Sequence, residues 1–202
     1  MSRMKSCITI SLVPSLIGGP WILWDSLEKS VKESARLGFD AIELFTDGPQ
    51  AGEKNELRNL LNETGLALGA LGTGAGKVLN GLTLTHPDQN IRAKAISFVR
   101  EMIDFGAQFN APAIIGSMQG SYGESTSKQD ALNYLTDALE ELGDHANTQG
   151  VSLIYEPLNR YETDLFNLYL DACEFIDQLS TNGVSLLADL FHMNIEEDII
   201  SD

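Results

Sequence analysis

Val151-Ser-Leu-Ile-Tyr155 runs directly into Glu156-Pro-Leu-Asn-Arg-Tyr-Glu162. A short apolar run bounded by a proline-containing polar segment reads as a buried strand followed by its loop. Glu156 therefore sits where the strand ends. The arrangement returns in Val184-Ser-Leu-Leu-Ala-Asp189, with His192 three residues further on. A lone Glu before a proline is ordinarily a solvated loop residue. A carboxylate at the end of a buried strand is different, because taking its charge out of water is costly unless a partner or a metal compensates. Glu156 and Asp189 at equivalent ends of successive strands predict a shared cation.

Working outward, apolar runs of the same kind occupy Cys7 to Val13, Ala41 to Phe45, Leu66 to Leu71 and Ala113 to Gly116. Their near-continuous apolar character marks strands covered on both faces, as in a parallel sheet. Between them lie segments with helical spacing: Trp24 to Leu37 ending at Gly38, Glu53 to Thr64 ending at Gly65, a third opened by Pro87-Asp88 with Gly106 near its end, Lys128 to Gln149 ending at Gly150, and Asn167 to Leu179 before Asn182-Gly183. Glycine just past the last turn is a helix stop. After the sixth strand a further helix is expected, with Asn194 as N-cap and Glu196 and Glu197 in its first turn.

Six β-α units fit either an open doubly wound sheet or a (β/α)8 barrel cut short. Strand starts near residues 7, 40, 66, 112, 151 and 184 give a repeat of about 35, so eight units would need roughly 280 residues. A dinucleotide-binding sheet should carry G-x-G-x-x-G after its first strand. The chain instead has Pro14-Ser-Leu-Ile-Gly-Gly-Pro20 there. The pattern alone leaves both architectures standing.

At 202 residues, 43% hydrophobic and 21% charged, the chain has the make-up of one globular domain spanning 1–202. Its 29 acidic against 13 basic residues, net −16, repel nucleic acid and anionic lipid. No apolar run is long enough for a membrane span, and Cys7 and Cys173 are too far apart for a zinc knuckle, which fits reduced thiols in the cytoplasm. Gly69, Gly72, Gly74, Gly76 and Lys77 imitate a phosphate loop, but Leu71 and Val78 stand where that motif needs Gly and Ser or Thr. These glycines are expected to bring a loop close to a small substrate or to relax a turn. His86 reads as a residue at the start of a helix and His145 as a solvated one near a helix end, which leaves His192 as the histidine placed for function. Trp21, Phe45 and Tyr122 follow strands one, two and four and suit either a pocket wall or packing.

The strand-five motif Glu156 to Glu162, with Leu187-Ala-Asp189-Leu-Phe-His192-Met-Asn194-Ile-Glu196-Glu197 after it, resembles the sugar isomerase and epimerase superfamily with the xylose isomerase-like barrel, nearest to ketose 3-epimerases of the tagatose and allulose (psicose) type. The resemblance implies an incomplete TIM barrel lacking strands seven and eight. It also implies one divalent metal, Mn2+, Mg2+ or Co2+, held by a Glu after strand five and an Asp after strand six, here Glu156 and Asp189, together with a His and a Glu from strands seven and eight. Glu162 and His192 take the places that bind the sugar, and Glu156 that of the catalytic base. The implied chemistry is proton abstraction next to a ketose carbonyl through an enediolate.

The resemblance implies a small-molecule sugar as partner, with a homo-oligomer left open and no nucleic acid or membrane. The loop Gly116 to Gly123 departs from the known ketohexose epimerases, so epimerase and aldose-ketose isomerase both remain, as does a hydroxypyruvate isomerase-like enzyme. A related three-zinc DNA-repair endonuclease needs histidines after strands three and four, where this chain has Gly72 and Gly116. A different class of alternative is a non-catalytic, sugar-binding or inactive barrel fragment. The 202-residue chain alone is expected to be inactive and, with unpaired outer strands, prone to associate.

Overall fold

A computed structural model describes residues 3–49, 51–123 and 126–200. Its centre is one sheet of six parallel strands in sequential order. They are β1 (Cys7–Ser11), β2 (Ala41–Phe45), β3 (Ala67–Gly72), β4 (Ala113–Ile115), β5 (Leu153–Tyr155) and β6 (Val184–Leu186). A doubly wound sheet reverses its strand order at a switch point, whereas a barrel winds in one direction. The observed order is that of six β-α units of an incomplete barrel, so the open-sheet alternative is set aside.

The strands β5 and β6 are shorter than their apolar runs, for local reasons. Val151 is drawn into the closure of the preceding helix, its N–H donating to Ala146 O at 3.1 Å. Asp189 leaves the last strand to cap the next helix. The ladder nevertheless continues one residue past β5 and β6, because Glu156 N donates to Ile115 O at 3.0 Å and Leu187 N to Tyr155 O at 3.0 Å. The backbone of Glu156 is therefore fixed by the sheet itself.

The covering helices are α1 (Leu27–Leu37), α2 (Ala51–Thr64), α3 (Ala75–Asn80), α4 (Gln89–Ala107), α5 (Lys128–Gln149), α6 (Tyr169–Ile176) and α7 (Leu190–Glu196). Val31 of α1, Leu57 of α2, Val99 and Met102 of α4, and Leu135, Leu139 and Leu142 of α5 are fully buried against Ile10, Ile42, Leu71, Ile115 and Leu153 of the sheet. Ser127 caps α5, its hydroxyl accepting from Asp130 N at 3.0 Å, and Gly150 closes that helix in the left-handed conformation at φ 75°. This is a helix whose two boundaries, 128 and 149, are those the sequence predicts.

Four expectations are corrected. The first helix begins at Leu27 rather than Trp24, since Ser26 caps it and the Trp24 indole donates to Trp21 O at 2.8 Å instead. The glycine-rich stretch is not only loop but contains α3, which sequence spacing did not show. The last helix begins at Leu190, with Asp189 and not Asn194 as N-cap, so Asn194 and Glu196 fall in its final turn. His145 is not solvated: its side chain is 15% exposed, with Nε2 2.6 Å from Asp104 Oδ1 and Nδ1 2.9 Å from an Arg100 guanidinium nitrogen. These contacts tie α5 to α4 in the outer layer. Among the described residues no helix is long and apolar enough to cross a membrane. Met1, Ser2, Ser201 and Asp202 lie outside the described residues.

Candidate functional site

Glu156, Asp189 and His192 come together at the C-terminal mouth of the sheet, each offering a ligand atom within 4.8 Å of the others. Glu156 is placed there by the β5 ladder and Asp189 by its duty as helix cap. One Asp189 oxygen accepts from Phe191 N at 2.7 Å, which leaves the other carboxylate oxygen facing the site. One turn of α7 then carries His192 over both carboxylates. Its Nε2 stands 3.8 Å from Glu156 Oε1 and 3.8 Å from Asp189 Oδ2. These separations are too long for hydrogen bonds and leave room between the groups.

Burial pushes the Glu156 carboxyl up to about 8, and the neighbouring Asp189 carboxylate adds to the shift, with smaller contributions from Glu43 and Glu162. The shift expresses mutual repulsion in a poorly solvated place. A divalent cation would relieve that repulsion, and an oxygen-rich carboxylate pair is the donor set that hard divalent ions take. The residues present thus fit the implied metal, which Glu156 and Asp189 would hold.

The loop after β5 is fastened to α7 at two points, and the first residue of α6 is fastened to Glu197 just past α7. Asn159, 2% exposed, lies at the centre. Its backbone N–H and its amide nitrogen approach His192 Nδ1 at 3.2 and 2.8 Å, and the amide also donates to Glu162 Oε1 at 3.0 Å. Arg160 pairs with Glu196, Nε to Oε1 at 2.9 Å and Nη2 to Oε2 at 2.7 Å. Tyr169 N donates to Glu197 Oε1 at 2.7 Å. Glu162 is brought to the edge of the cluster, 3.8 Å from His192 Nδ1, and is 44% exposed.

Three further residues, none of them among the site residues expected from the sequence, shape the site. Gly116 faces Glu156 so closely that a Cβ on it would lie 2.7 Å from Oε2. Any side chain there, histidine included, would displace the carboxylate. Gln119, fully buried, donates to the Glu156 carbonyl at 3.0 Å and accepts from the Tyr155 hydroxyl at 2.5 Å. Glu43 stands mid-strand in β2 beside Thr9, its carboxyl held above the ordinary range by burial and, to a lesser degree, by Asp189. A signal for Glu43 was present, because an ionisable residue interrupts an otherwise apolar strand. Gly116 and Gln119 carried none.

Of the aromatic residues, Trp21 lies on Phe45 with ring centroids 4.2 Å apart, in a small cluster with Val13 and Ala75. Gly72 and Gly74 pack against the Phe45 ring, which accounts for two glycines of the rich stretch by close approach. Tyr122 packs instead at the border of the main core, its backbone N–H donating to Asp164 at 2.8 Å. His86 lies at the start of α4, accepting from Asp88 N at 3.0 Å. Cys7 and Cys173 are free thiols.

A parallel, sequentially wound sheet with its ionisable cluster at the C-terminal mouth defines a protein of the barrel class, in which reactive groups gather at that end. The chain belongs to the xylose isomerase-like TIM barrel family, which matches residues 31–202. It is 28% identical to a D-psicose 3-epimerase of Agrobacterium fabrum over 85% of this chain and 61% of that protein. It is equally 28% identical to an L-ribulose 3-epimerase of Methylomonas sp., over 90% of this chain and 65% of that one. A crystal structure of a Methylomonas D-allulose 3-epimerase superposes with a TM-score of 0.76 at 26% identity, covering 98% of this chain and 68% of that one. The chain spans about three fifths of the length of the curated relatives it matches.

Proposed function

We propose that this chain carries the metal-holding and proton-abstracting part of a ketose 3-epimerase. The observation that supports the reading best is the convergence of Glu156 and Asp189, with His192 above them, at the mouth of a fold whose relatives are named as epimerases of psicose and ribulose. Glu156 and Asp189 would hold a divalent ion, manganese, magnesium or cobalt. Such an ion, when bound, supplies positive charge beside the carbonyl and neighbouring hydroxyl oxygens of the sugar.

Glu156 is the base. Its carboxylate takes the proton from the carbon beside the carbonyl, and the electron pair left behind moves onto the carbonyl oxygen to give an enediolate. His192 and Glu162 bind the sugar hydroxyls and fix which carbon faces Glu156. Glu156 can return its proton to the same face and restore the substrate. Return to the opposite face by a second acid inverts the centre and makes the epimer. Gly116 keeps a side chain out of the space the Glu156 carboxylate occupies, and Gln119 holds its backbone.

The test is exchange, which needs only the first base and so can proceed in the 202-residue chain even where complete epimerisation, which needs a second acid, is expected to fail. A ketohexose incubated with the chain and millimolar manganese in deuterated water is expected to take up deuterium at the carbon next to the carbonyl, and Glu156→Gln is expected to abolish uptake. Undiminished uptake in Glu156→Gln, or none with the unaltered chain, overturns the assignment.

A further inference from the structure

We infer that Asn159 is a positioning residue that decides which imidazole nitrogen of His192 carries the proton, so that His192 presents an N–H, and not a lone pair, to the space between Glu156 and Asp189. The orientation of the Asn159 amide is fixed from outside: Tyr161 N–H donates to its Oδ1 at 3.0 Å, so the other end of the amide is the NH2. One hydrogen of that NH2 goes to Glu162 Oε1 at 3.0 Å. The other points at His192 Nδ1, 2.8 Å away, where the Asn159 backbone N–H also arrives at 3.2 Å. A ring nitrogen that faces two donors must be the acceptor. In the neutral ring the proton then lies on Nε2.

The consequence reaches the site. Nε2 is the nitrogen 3.8 Å from Glu156 Oε1 and Asp189 Oδ2, and among the described residues it donates no hydrogen bond. A metal ligand needs the lone pair that this nitrogen lacks. His192 is thereby a donor held ready for a ligand oxygen, although its position beside two carboxylates would suit a third metal ligand. The same amide nitrogen holds Glu162, so one buried residue orders two neighbouring groups of the site. Its link to sugar binding rests on the reading under Proposed function, while the tautomer itself does not.

The experiment uses the full chain, metal-free, labelled with 15N in the imidazole rings, at a pH where the rings are neutral. The chain has three histidines, so the long-range 15N–1H spectrum holds three patterns. His192, assigned by its disappearance in His192→Gln, is expected as the Nε2–H tautomer. In Asn159→Asp the side-chain donor becomes an acceptor, and the ratio of tautomers is expected to move about tenfold or more towards Nδ1–H, the scale of one exchanged hydrogen bond. A merely structural residue would not produce that change. An Nδ1–H pattern for His192 in the unaltered chain, or an unchanged ratio in Asn159→Asp, overturns the inference. Should Asn159→Asp not fold, the spectrum of the unaltered chain still decides. Failure of the deuterium exchange test would remove the sugar reading and leave the tautomer result standing, so the two failures are told apart.

Discussion

The two sides of the barrel mouth are built by opposite means. On the β1 to β3 side, Trp21 lies on Phe45 at 4.2 Å, with Val13 and Ala75 beneath and Gly72 and Gly74 clearing space for the ring. Apolar contact there adds stability. On the β5 to β6 side, Glu156, Asp189, Glu162 and His192 crowd together, and the loop is held by Asn159 and by the Arg160–Glu196 pair, with the start of α6 held by Glu197. Charge repulsion there costs stability, and polar cross-links keep the crowded groups in place. Packing on one wall offsets what the ionisable wall costs.

The aromatic wall should be the more sensitive of the two to truncation. Phe45→Ala removes a ring that is 7% exposed and leaves a cavity under Trp21. A loss of about 3–5 kcal/mol in urea unfolding is expected, with manganese affinity little changed wherever the protein remains folded. A loss below about 1 kcal/mol would show that the ring is not structural, and the two walls would no longer differ as described.

The ionisable wall should behave in the opposite sense. The Glu156 carboxyl, pushed up to about 8 from an ordinary 4.5, keeps its proton longer in the folded state than in the unfolded chain. The metal-free protein therefore loses stability as pH rises from 4.5 to about 8, and this contribution is flat outside that window. The total is on the order of a few kcal/mol. Glu156→Gln is expected to remove the slope and to be the more stable protein at alkaline pH. Parallel pH profiles for the two proteins, measured by thermal or urea unfolding, would contradict the electrostatic account.

The two walls also differ in how far they can be read from sequence. Glu156 and Asp189 are legible because each ends an apolar run, and strand ends of a parallel sheet share one mouth. The bounds of β2 and α5 are legible because propensity, caps and burial agree there. What sequence spacing does not show depends on contacts between distant segments. Asn159 reads as an ordinary loop residue until His192, 33 positions away, is folded onto it. Gly116 gives no sign of its role until the Glu156 carboxylate is seen against it. Sequence spacing misplaces the start of α7 because it reads Asp189 as strand, when one of its oxygens caps the helix and the other faces the site. A residue with two duties offers a linear pattern only one of them.

Crowding of the carboxylate wall should have a more modest effect. Gly116→Ala puts a methyl group 2.7 Å from Glu156 Oε2, so the carboxylate must move while its backbone stays in the ladder. Manganese affinity, measured by calorimetry, is expected to fall about tenfold or more, comparable to losing the support of a metal ligand. Unaltered affinity would mean that the Glu156 oxygen facing Gly116 takes no part in holding the ion.

The smallest change separates the two duties of Asp189. Asparagine caps helices about as well as aspartate, so Asp189→Asn is expected to leave unfolding free energy within about 0.5 kcal/mol, whereas Asp189→Ala, which loses the bond to Phe191 N, is expected to cost about 1 kcal/mol. Both substitutions remove the charge that stands second among the causes raising Glu156. In both, the Glu156 titration followed by carboxyl NMR is expected to move down towards the ordinary carboxylate range, though not to reach it, because burial is the larger cause. If the titration shifts only in Asp189→Ala, the cause is movement of the helix end rather than charge. If it shifts in neither, the Asp189 oxygen that faces the site lies too far from Glu156 for the two to share one cation.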